Sequence, residues 1–526
     1  MTKFYITTTI PYANAPPHIG FALEIVQADV LARWNHIKGK EVFFLTGTDE
    51  HGVKNYQTAK KEGLKPQDFV NKNSDSFEKL TKELNISNSY FIRTTDKKTH
   101  WPGVIEMWNR LVKKGDIYKK GYTGNYCSGC ERFVTDKDLV EGKCPNHPNL
   151  KIEKISEENY FFKLSKYSDK IKKLIKSDQL KISPEKWKND FLSLIRNGLT
   201  DVSFSRDKKH LPWGIPVPDD SNQVVYVWCD ALTNYLTGVG FPSKKFEKYW
   251  PADIHVVGKD MLRFHTGIWP GMLLSAGLSL PKEVIVHGFL TVGGKKMSKS
   301  SGNVVSPLKL LEKYSADSLR YALLRATPFG DDGNFSEKDL IARHNNELAN
   351  KLGNLVSRVA GLIEQNKLKD VKEQIIASLK DHSYEIKNSL KIEYPRGGVF
   401  NSKIENNKLL GGISLLMYRK DSSCLDVRYT DKYSLSVDIL AIVERCIDEF
   451  EFDKALSWIF AYIDLCNKYV QNEKLWEKKI IPLHLVNDIL KIADLLLPFI
   501  PESAEKIIKQ FSAKKIKKGE ILFKKI

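Results

Sequence analysis

No run of apolar residues in this chain reaches the length of a membrane-spanning helix, which excludes a helical integral membrane protein. The first ten residues carry one lysine, Lys3, and no small-residue cleavage site. They do not read as a secretory leader, so a cytoplasmic protein is expected. Cysteine is scarce: seven in 526 residues are too few for a disulfide scaffold. Acidic residues are outnumbered, 64 against 82 basic ones, leaving a formal net charge of +18. That surplus fits a polyanionic partner such as nucleic acid, and it fits a merely lysine-rich composition equally well. No internal repeat is present, which excludes a solenoid or propeller.

The chain is long enough for several domains, and 42% apolar residues suffice for sizeable cores. Residues 1–115 alternate strand and helix signals. Residues 3–10 (KFYITTTI) are rich in β-branched and aromatic side chains, a strand signature. A Pro/Gly turn follows, then an amphipathic run over 21–37 that stops at Gly39, with Gln27 as a polar interruption, and then a second apolar strand at 41–45. Strand, turn, helix and strand in that order predict a doubly wound parallel sheet. Residues 116–225 break the rhythm and read as an inserted module. Short buried strands resume at 253–257 and 283–287, so residues 226–336 complete the sheet. Beyond 337 the periodicity is helical, near 337–366, 434–450, 452–472 and 481–497, which predicts an α-helical domain over 337–526. Residues 392–432, with four glycines and no helical period, are expected to be an insertion in that domain.

Three places carry chemistry. The first is the turn after strand one, residues 11–21 (PYANAPPHIGF). There a helix N-terminus and backbone N–H groups can face a phosphate, Gly20 removes the side chain that would block it, and His18 can donate to developing charge. A Pro-rich turn with an incidental histidine is the alternative. The second is residues 293–303 (GGKKMSKSSGN), a glycine-rich loop in which Lys296 and Lys299 can reach phosphates as point charges. A solvated basic loop is the alternative there. The third is Cys127-Ser-Gly-Cys130 with Cys144-Pro-Asn-His147, two C-x-x-ligand knuckles thirteen residues apart. Four protein ligands at this spacing suit one tetrahedral, structural zinc. The remaining cysteines, Cys229, Cys424, Cys446 and Cys466, have no ligand spacing.

A His-Ile-Gly turn after strand one, paired with Lys-Met-Ser-Lys-Ser after the last sheet strand, resembles the double signature of the class I aminoacyl-tRNA synthetases. Segments 5–20, 44–52, 226–235, 256–265, 286–303 and 314–335 are similar to the methionyl branch of that family. The likeness covers nearly the whole chain outside 392–432. It implies a Rossmann-type sheet split by a zinc-bearing connective module (116–225), a stem-contact region within 226–336, and a helical-bundle anticodon-binding domain. The family's first signature ends in a second histidine, whereas Phe21 stands there in this chain and cannot donate to phosphate.

The resemblance implies the following roles. His18, Lys296 and Lys299 would stabilise the reacting phosphate, and Asn14, Gly20, Phe21, Ser298 and Ser300 would join them around ATP. Ile10, Tyr12, Asp49, Trp228, Ala231, Tyr235 and His287 would hold methionine, with Asp49 on its ammonium; sulfur–aromatic contact suits the thioether. Core packing is the alternative for Trp228 and Tyr235. Asn354 and Arg358 share a helix face at i, i+4 and, with Trp476, would read the anticodon of initiator and elongator tRNA(Met). Magnesium would enter with ATP, and a monomer with no membrane contact is expected. The synthetases for leucine, isoleucine, valine and cysteine share the fold. The first three need a large editing insertion because a methylene discriminates by only about 1–3 kcal/mol, and residues 116–225 are too short for one. A non-catalytic tRNA-binding descendant is the rival of another class. The intact lysine loop argues against it, and Phe21 is the one feature in its favour.

Chelation is expected to release about one zinc per chain, the number a single four-ligand site holds. Metal analysis of a Cys127→Ser variant checks this: unchanged zinc content would remove the knuckle assignment.

Overall fold

The computed structural model describes residues 2–127, 132–134, 136–145, 148–297, 302–365, 416–418, 424–426, 439–478 and 483–526. The chain divides into two compact units. One comprises residues 1–316 with 329–335, and the other comprises 317–328 with 336–526.

In the first unit, β1 (Lys3–Thr8) leads through the Pro/Gly turn into α1 (Ile19–Ile37) and back to β2 (Glu41–Thr48). Helix α1 starts where His18 caps it and ends where Gly39 turns the chain at φ +76°. It is buried on almost every side, so Glu24, Gln27 and Asp29 on it are buried too and need partners. Asp29 finds Arg33 at 2.8 Å and the backbone N–H of Ser87 at 2.7 Å.

Next come α2 (Val53–Lys61), α3 (Pro66–Glu83), β3 (Tyr90–Arg93) and α4 (Trp101–Lys113). The following segment forms an antiparallel sheet of β4 (Ile117–Cys127), β5 (Arg132–Val134), β6 (Glu153–Phe162) and, beyond α5 (Ser168–Lys176), β7 (Lys181–Ser183) and α6 (Glu185–Leu194), β8 (Val202–Ser203). A second small sheet holds β9 (Ser205–Asp207), β10 (Pro216–Val217) and β11 (Asp220–Val225). Helix α7 (Val227–Thr237) and β12 (Ile254–Gly258) return to the main layer. A π-helical turn (Phe264–Ile268), α8 (Trp269–Ala276) and β13 (Glu283–His287) follow.

The main sheet has six strands in the order β3-β2-β1-β12-β13-β7, and every pairing is parallel. The order confirms the α/β expectation and amends one part of it. Strand β7, from inside the stretch read as an insertion, is an edge strand of the main sheet, paired with β13 from Glu283↔Lys181 to Ile285↔Ser183. Three residues carry too little periodicity to announce a strand, and only pairing with β13 reveals it.

In the second unit, residues 337–365 are helical throughout, but the middle, His344–Gly353, winds as a π-helix. Further helices span Ile439–Asp448, Phe452–Asn472, Leu483–Leu496 and Pro501–Phe511. Buried Arg320 donates to the carbonyls of Pro498 (2.9 Å) and Phe499 (2.8 Å), tying the segment after the sheet to the break between the last two of these helices. The expected insertion at 392–432 lies outside the described residues except for two short antiparallel strands, Leu416–Tyr418 and Cys424–Asp426.

Gly47 in β2 pairs with Ile92 in β3, and a Cβ there would stand 2.0 Å from the Ile92 carbonyl oxygen. Backbone cannot yield as a side chain does, so Gly47→Ala should destabilise the first unit by about 1–3 kcal/mol. Urea unfolding followed by far-UV circular dichroism measures this, and an unchanged midpoint would contradict so close an approach.

Candidate active site

A parallel sheet places all strand C-termini on one edge. Between β1 and β12 the chain connections leave in opposite directions, which opens a crevice where such sheets bind ligands. The backbone continues the β1–β2 ladder past the strand ends: Asp49 N–H donates to Pro11 O and Ala13 N–H to Asp49 O, both at 2.9 Å. The turn at 11–13 and the loop at 49 are thereby held side by side.

His18 stands at the mouth of this crevice. Its Nδ1 accepts from the backbone N–H of Gly20 at 3.1 Å, so in the neutral ring the proton sits on Nε2 and remains available to donate. Desolvation by its neighbours lowers the His18 pKa, while the carboxylates of Asp260 and Glu24 pull it upward. Although the residue is exposed, these competing influences favour the neutral donor. A Cβ on Gly20 would meet the ring at 2.9 Å, so glycine there is required by the cap.

The lysine-bearing loop and the residues just after it reach the same place. Ile19 N–H donates to Val305 O at 3.0 Å, and Met297 Cε lies 3.7 Å from where a Gly20 Cβ would be. Two glycines at positive φ, Gly293 and Gly294, turn the hairpin that joins β14 (Leu290–Val292) to β15 (Lys295–Lys296). Lys296 is exposed, with its ammonium 4.6 Å from the ring centre of Phe289. Asn303 Nδ2 donates to the Lys296 carbonyl at 3.2 Å. Ser298, Lys299 and Ser300 lie outside the described residues. Asn14 is half-buried in the turn before His18. Phe21, expected to border ATP, lies in the first turn of α1. Its ring is 5% exposed and packs edge-to-face on Phe77 of α3, centroids 5.0 Å apart, so it contributes packing and no hydrogen bond.

Behind the crevice, Trp228, Ala231 and Tyr235 of α7 are buried in one apolar cluster, with Ile10, Tyr12 and Phe264 packed on it. Trp228 stacks on Phe264 at 3.6 Å. Tyr12 bridges to Asp49 along the extended ladder. Burial, then the charges of Glu24 and Asp49, raise the Tyr235 pKa, which keeps its hydroxyl protonated. That hydroxyl meets His265 Nε2 at 2.6 Å, and His265 Nδ1 meets Met261 O at 3.0 Å. The carbonyl can only accept, so Nδ1 carries the proton and Tyr235 donates to Nε2. Burial pushes His265 down to about 4. His265, in the π-helical turn, closes the segment 256–265 but has no sequence signal of its own that marks it as a site residue. His287, expected beside the thioether, has both nitrogens engaged: Nε2 with Glu24 at 2.9 Å and Nδ1 with Gly288 O at 2.8 Å. Burial would lower its pKa, but the Glu24 carboxylate reverses this and raises it.

Cys127 and Cys144 are buried together with Val134, at the β4–β5 pairing and beside the Val140–Lys143 bridge. Cys130 and His147 lie outside the described residues. In the second unit Arg358 lies 5.8 Å from the Trp476 ring centre and donates to Gln471 at 3.1 Å. Asn354, one turn before it, is exposed, as is Trp476 at 43%. No described helix is long and apolar enough to cross a membrane.

A family model described as tRNA synthetases class I (M) matches residues 4–154 and 148–360. Methionine–tRNA ligase of Brucella suis is 37% identical over 519 residues, covering 96% of this chain and 91% of that protein. The enzyme of the same name from Thermotoga maritima is 36% identical, covering 97% and 75%. Among solved structures, Mycobacterium tuberculosis methionyl-tRNA synthetase in complex with methionyl-adenylate superposes with a TM-score of 0.80 at 34% identity, covering 97% of this chain and 94% of that one.

His265 and the neighbouring His255, which burial holds well below its ordinary value, set a pH dependence. An unfolded histidine takes up a proton near pH 6.5, while the folded ring refuses it. Stability is therefore full above pH 6.5 and is lost as pH falls toward 4, by up to about 1.4 kcal/mol per unit for each histidine. Urea midpoints at pH 7 and pH 5 should diverge less in His265→Gln than in the wild type. Equal divergence would mean that His265 titrates as it does in the unfolded chain.

Proposed function

The chain belongs to the methionyl branch of the class I aminoacyl-tRNA synthetases, and from that premise we propose how its own residues divide the reaction. It activates methionine with ATP to methionyl-adenylate and pyrophosphate, then transfers the methionyl group to the 3′-terminal ribose of tRNA(Met). The observation that carries the assignment of residues is the meeting of the two signature segments at one crevice, through Met297 beside Gly20 and, just past the loop, Val305 O with Ile19 N–H.

The methionine carboxylate attacks the α-phosphorus of ATP, and pyrophosphate leaves. His18 Nε2–H donates to the phosphate oxygens as charge moves onto them, and the α1 N-terminus points the same way. Lys296 and Lys299 neutralise the departing pyrophosphate, with Ser298 and Ser300 on the same loop. Gly20 admits the phosphates, Asn14 borders them, and Phe21 supports α1 by packing. Asp49 holds the substrate ammonium between Ile10 and Tyr12. Trp228, Ala231 and Tyr235 wall the thioether, and His265, bonded to Tyr235, belongs to that wall; His287 supports it through Glu24. Positioning and charge stabilisation supply the rate, with no covalent intermediate on the protein.

Cys127 and Cys144, two thiols buried in one small cluster, suit a zinc site completed by Cys130 and His147, and the metal would cross-link the connective module. Magnesium would accompany ATP. Residues 116–225, apart from the main-sheet strand β7, then act as the connective module, 314–335 as the stem-contact region and 337–526 as the anticodon-binding domain. Asn354, Arg358 and Trp476 offer hydrogen bonds and a stacking face to the anticodon of initiator and elongator tRNA(Met). A cytoplasmic monomer completes the proposal.

Pyrophosphate exchange driven by methionine, and not by leucine or valine, tests the function directly. Trp476→Ala should lower aminoacylation of tRNA while sparing that exchange, because Trp476 lies in the other compact unit from His18 and Lys296. Loss of one stacked base is worth about 1–3 kcal/mol. If both activities fall together, Trp476 serves only to hold the bundle; if neither falls, the anticodon is read elsewhere.

A further inference from the structure

Helix α7 carries a buried charge that the chemistry above does not use. Asp230 is fully buried, between Trp228 and Ala231 in sequence. Its carboxylate accepts from two imidazoles on two other segments: His51 Nδ1 at 2.6 Å and His100 Nε2 at 2.8 Å. Both rings are themselves buried, at 2% and 0% exposed. Burial alone would raise the Asp230 pKa, but the two histidines more than offset this and hold it ionised. Isolated charge at such depth is strongly unfavourable, so the cluster persists only while all three groups keep their places.

The three groups belong to three elements that meet at the amino-acid pocket. His51 is two residues from Asp49, and Asn55 Nδ2 donates to both the Asp49 carbonyl (3.1 Å) and the His51 carbonyl (3.0 Å), so that loop moves as one piece. Trp213 Nε1 donates to the Glu50 carbonyl between them at 2.9 Å. His100 stands at the start of α4, and its Nδ1 lies 2.8 Å from Thr237 at the far end of α7. The two helices approach closely there: a Cβ on Gly103 would fall 2.2 Å from Thr237 Cγ2. Helix α7 is thus held at its first turn by His51 and His100 and at its last turn by His100 again.

We propose that Asp230 is a positioning residue for methionine: through His51 it sets the separation between the Asp49 carboxylate and the Trp228–Ala231–Tyr235 wall. The proposal rests on the assignment of those residues as the amino-acid pocket. Asp49 would grip one end of the substrate and α7 the other, and the Asp230–His51 bond is the strut between them. ATP, gripped by the His18 turn and the lysine hairpin, does not span this strut.

The test is pyrophosphate exchange by the full chain, with methionine and ATP varied separately. His51→Ala cuts the strut while leaving Asp230 with His100. It should raise KM for methionine about tenfold, close to 1.4 kcal/mol, with KM for ATP changed less than about twofold. His51→Asn, whose amide nitrogen replaces Nδ1, should recover most of the loss. Asp230→Asn, which sets an amide N–H against one imidazole N–H, should repeat the methionine-selective effect and serves if His51→Ala does not fold. Methionine and ATP constants rising together, or no rescue by asparagine, would reduce the cluster to general stability and overturn the proposal. An unmoved methionine KM in His51→Ala would overturn it as well. Absence of methionine-driven exchange in the wild type would instead overturn the pocket assignment, and the proposal with it.

Discussion

The crevice depends on a short stretch of backbone ladder beyond the ends of β1 and β2. Pro11, Ala13 and Asp49 exchange hydrogen bonds at 2.9 Å after both strands have formally ended. That extension converts two loops into a single rigid lip. From it the chain proceeds through the Pro-rich turn to His18, the cap of α1. Without it the turn of residues 11–18, rich in proline and lacking strand partners, would have no register against the rest of the sheet.

Buried charge is the second theme of the first unit, and each instance joins elements distant in sequence. Glu24 on α1 accepts from the Thr9 backbone and hydroxyl and from His287 at the end of β13. Glu50 receives Arg93 at 2.6 and 3.2 Å from the neighbouring strand. Asp230 receives two histidines. Such groups are weak sources of net stability, since desolvation offsets most of the attraction. They do penalise any displacement that separates the partners. A site that must hold a carboxylate, an ammonium and a triphosphate in register gains from that stiffness.

Phe21 illustrates how a departure from a family pattern is absorbed. The position faces α3, where Phe77 receives its ring. At the α1 N-terminus His18 commits Nδ1 to Gly20, and its Nε2 is not committed by that cap.

Much was legible from residue order alone. The strand–turn–helix–strand start, the return of the sheet after the long interruption and the helical second half follow from apolar runs and helical spacing, because β1 and β13 are short continuous apolar stretches and α1 and the helix Phe452–Asn472 are long. The two phosphate-type signatures and the cysteine knuckles could be read as candidates because backbone geometry and metal coordination demand particular residues at particular spacings; of these, the structure brings Met297 beside Gly20 and buries Cys127 with Cys144, while Lys299, Cys130 and His147 lie outside the described residues. Three things were decided only by tertiary structure. Strand β7 is too short to show a period, and becomes a strand because β13 offers it a partner. His265, in a π-helical turn, meets Tyr235 of α7, thirty residues away in sequence, and no local spacing announces that pairing. The Asp230 cluster joins residues 51, 100 and 230, whose separation along the chain carries no local signal. Local rules govern what a segment can become, whereas pairing of buried polar groups depends on which segments meet.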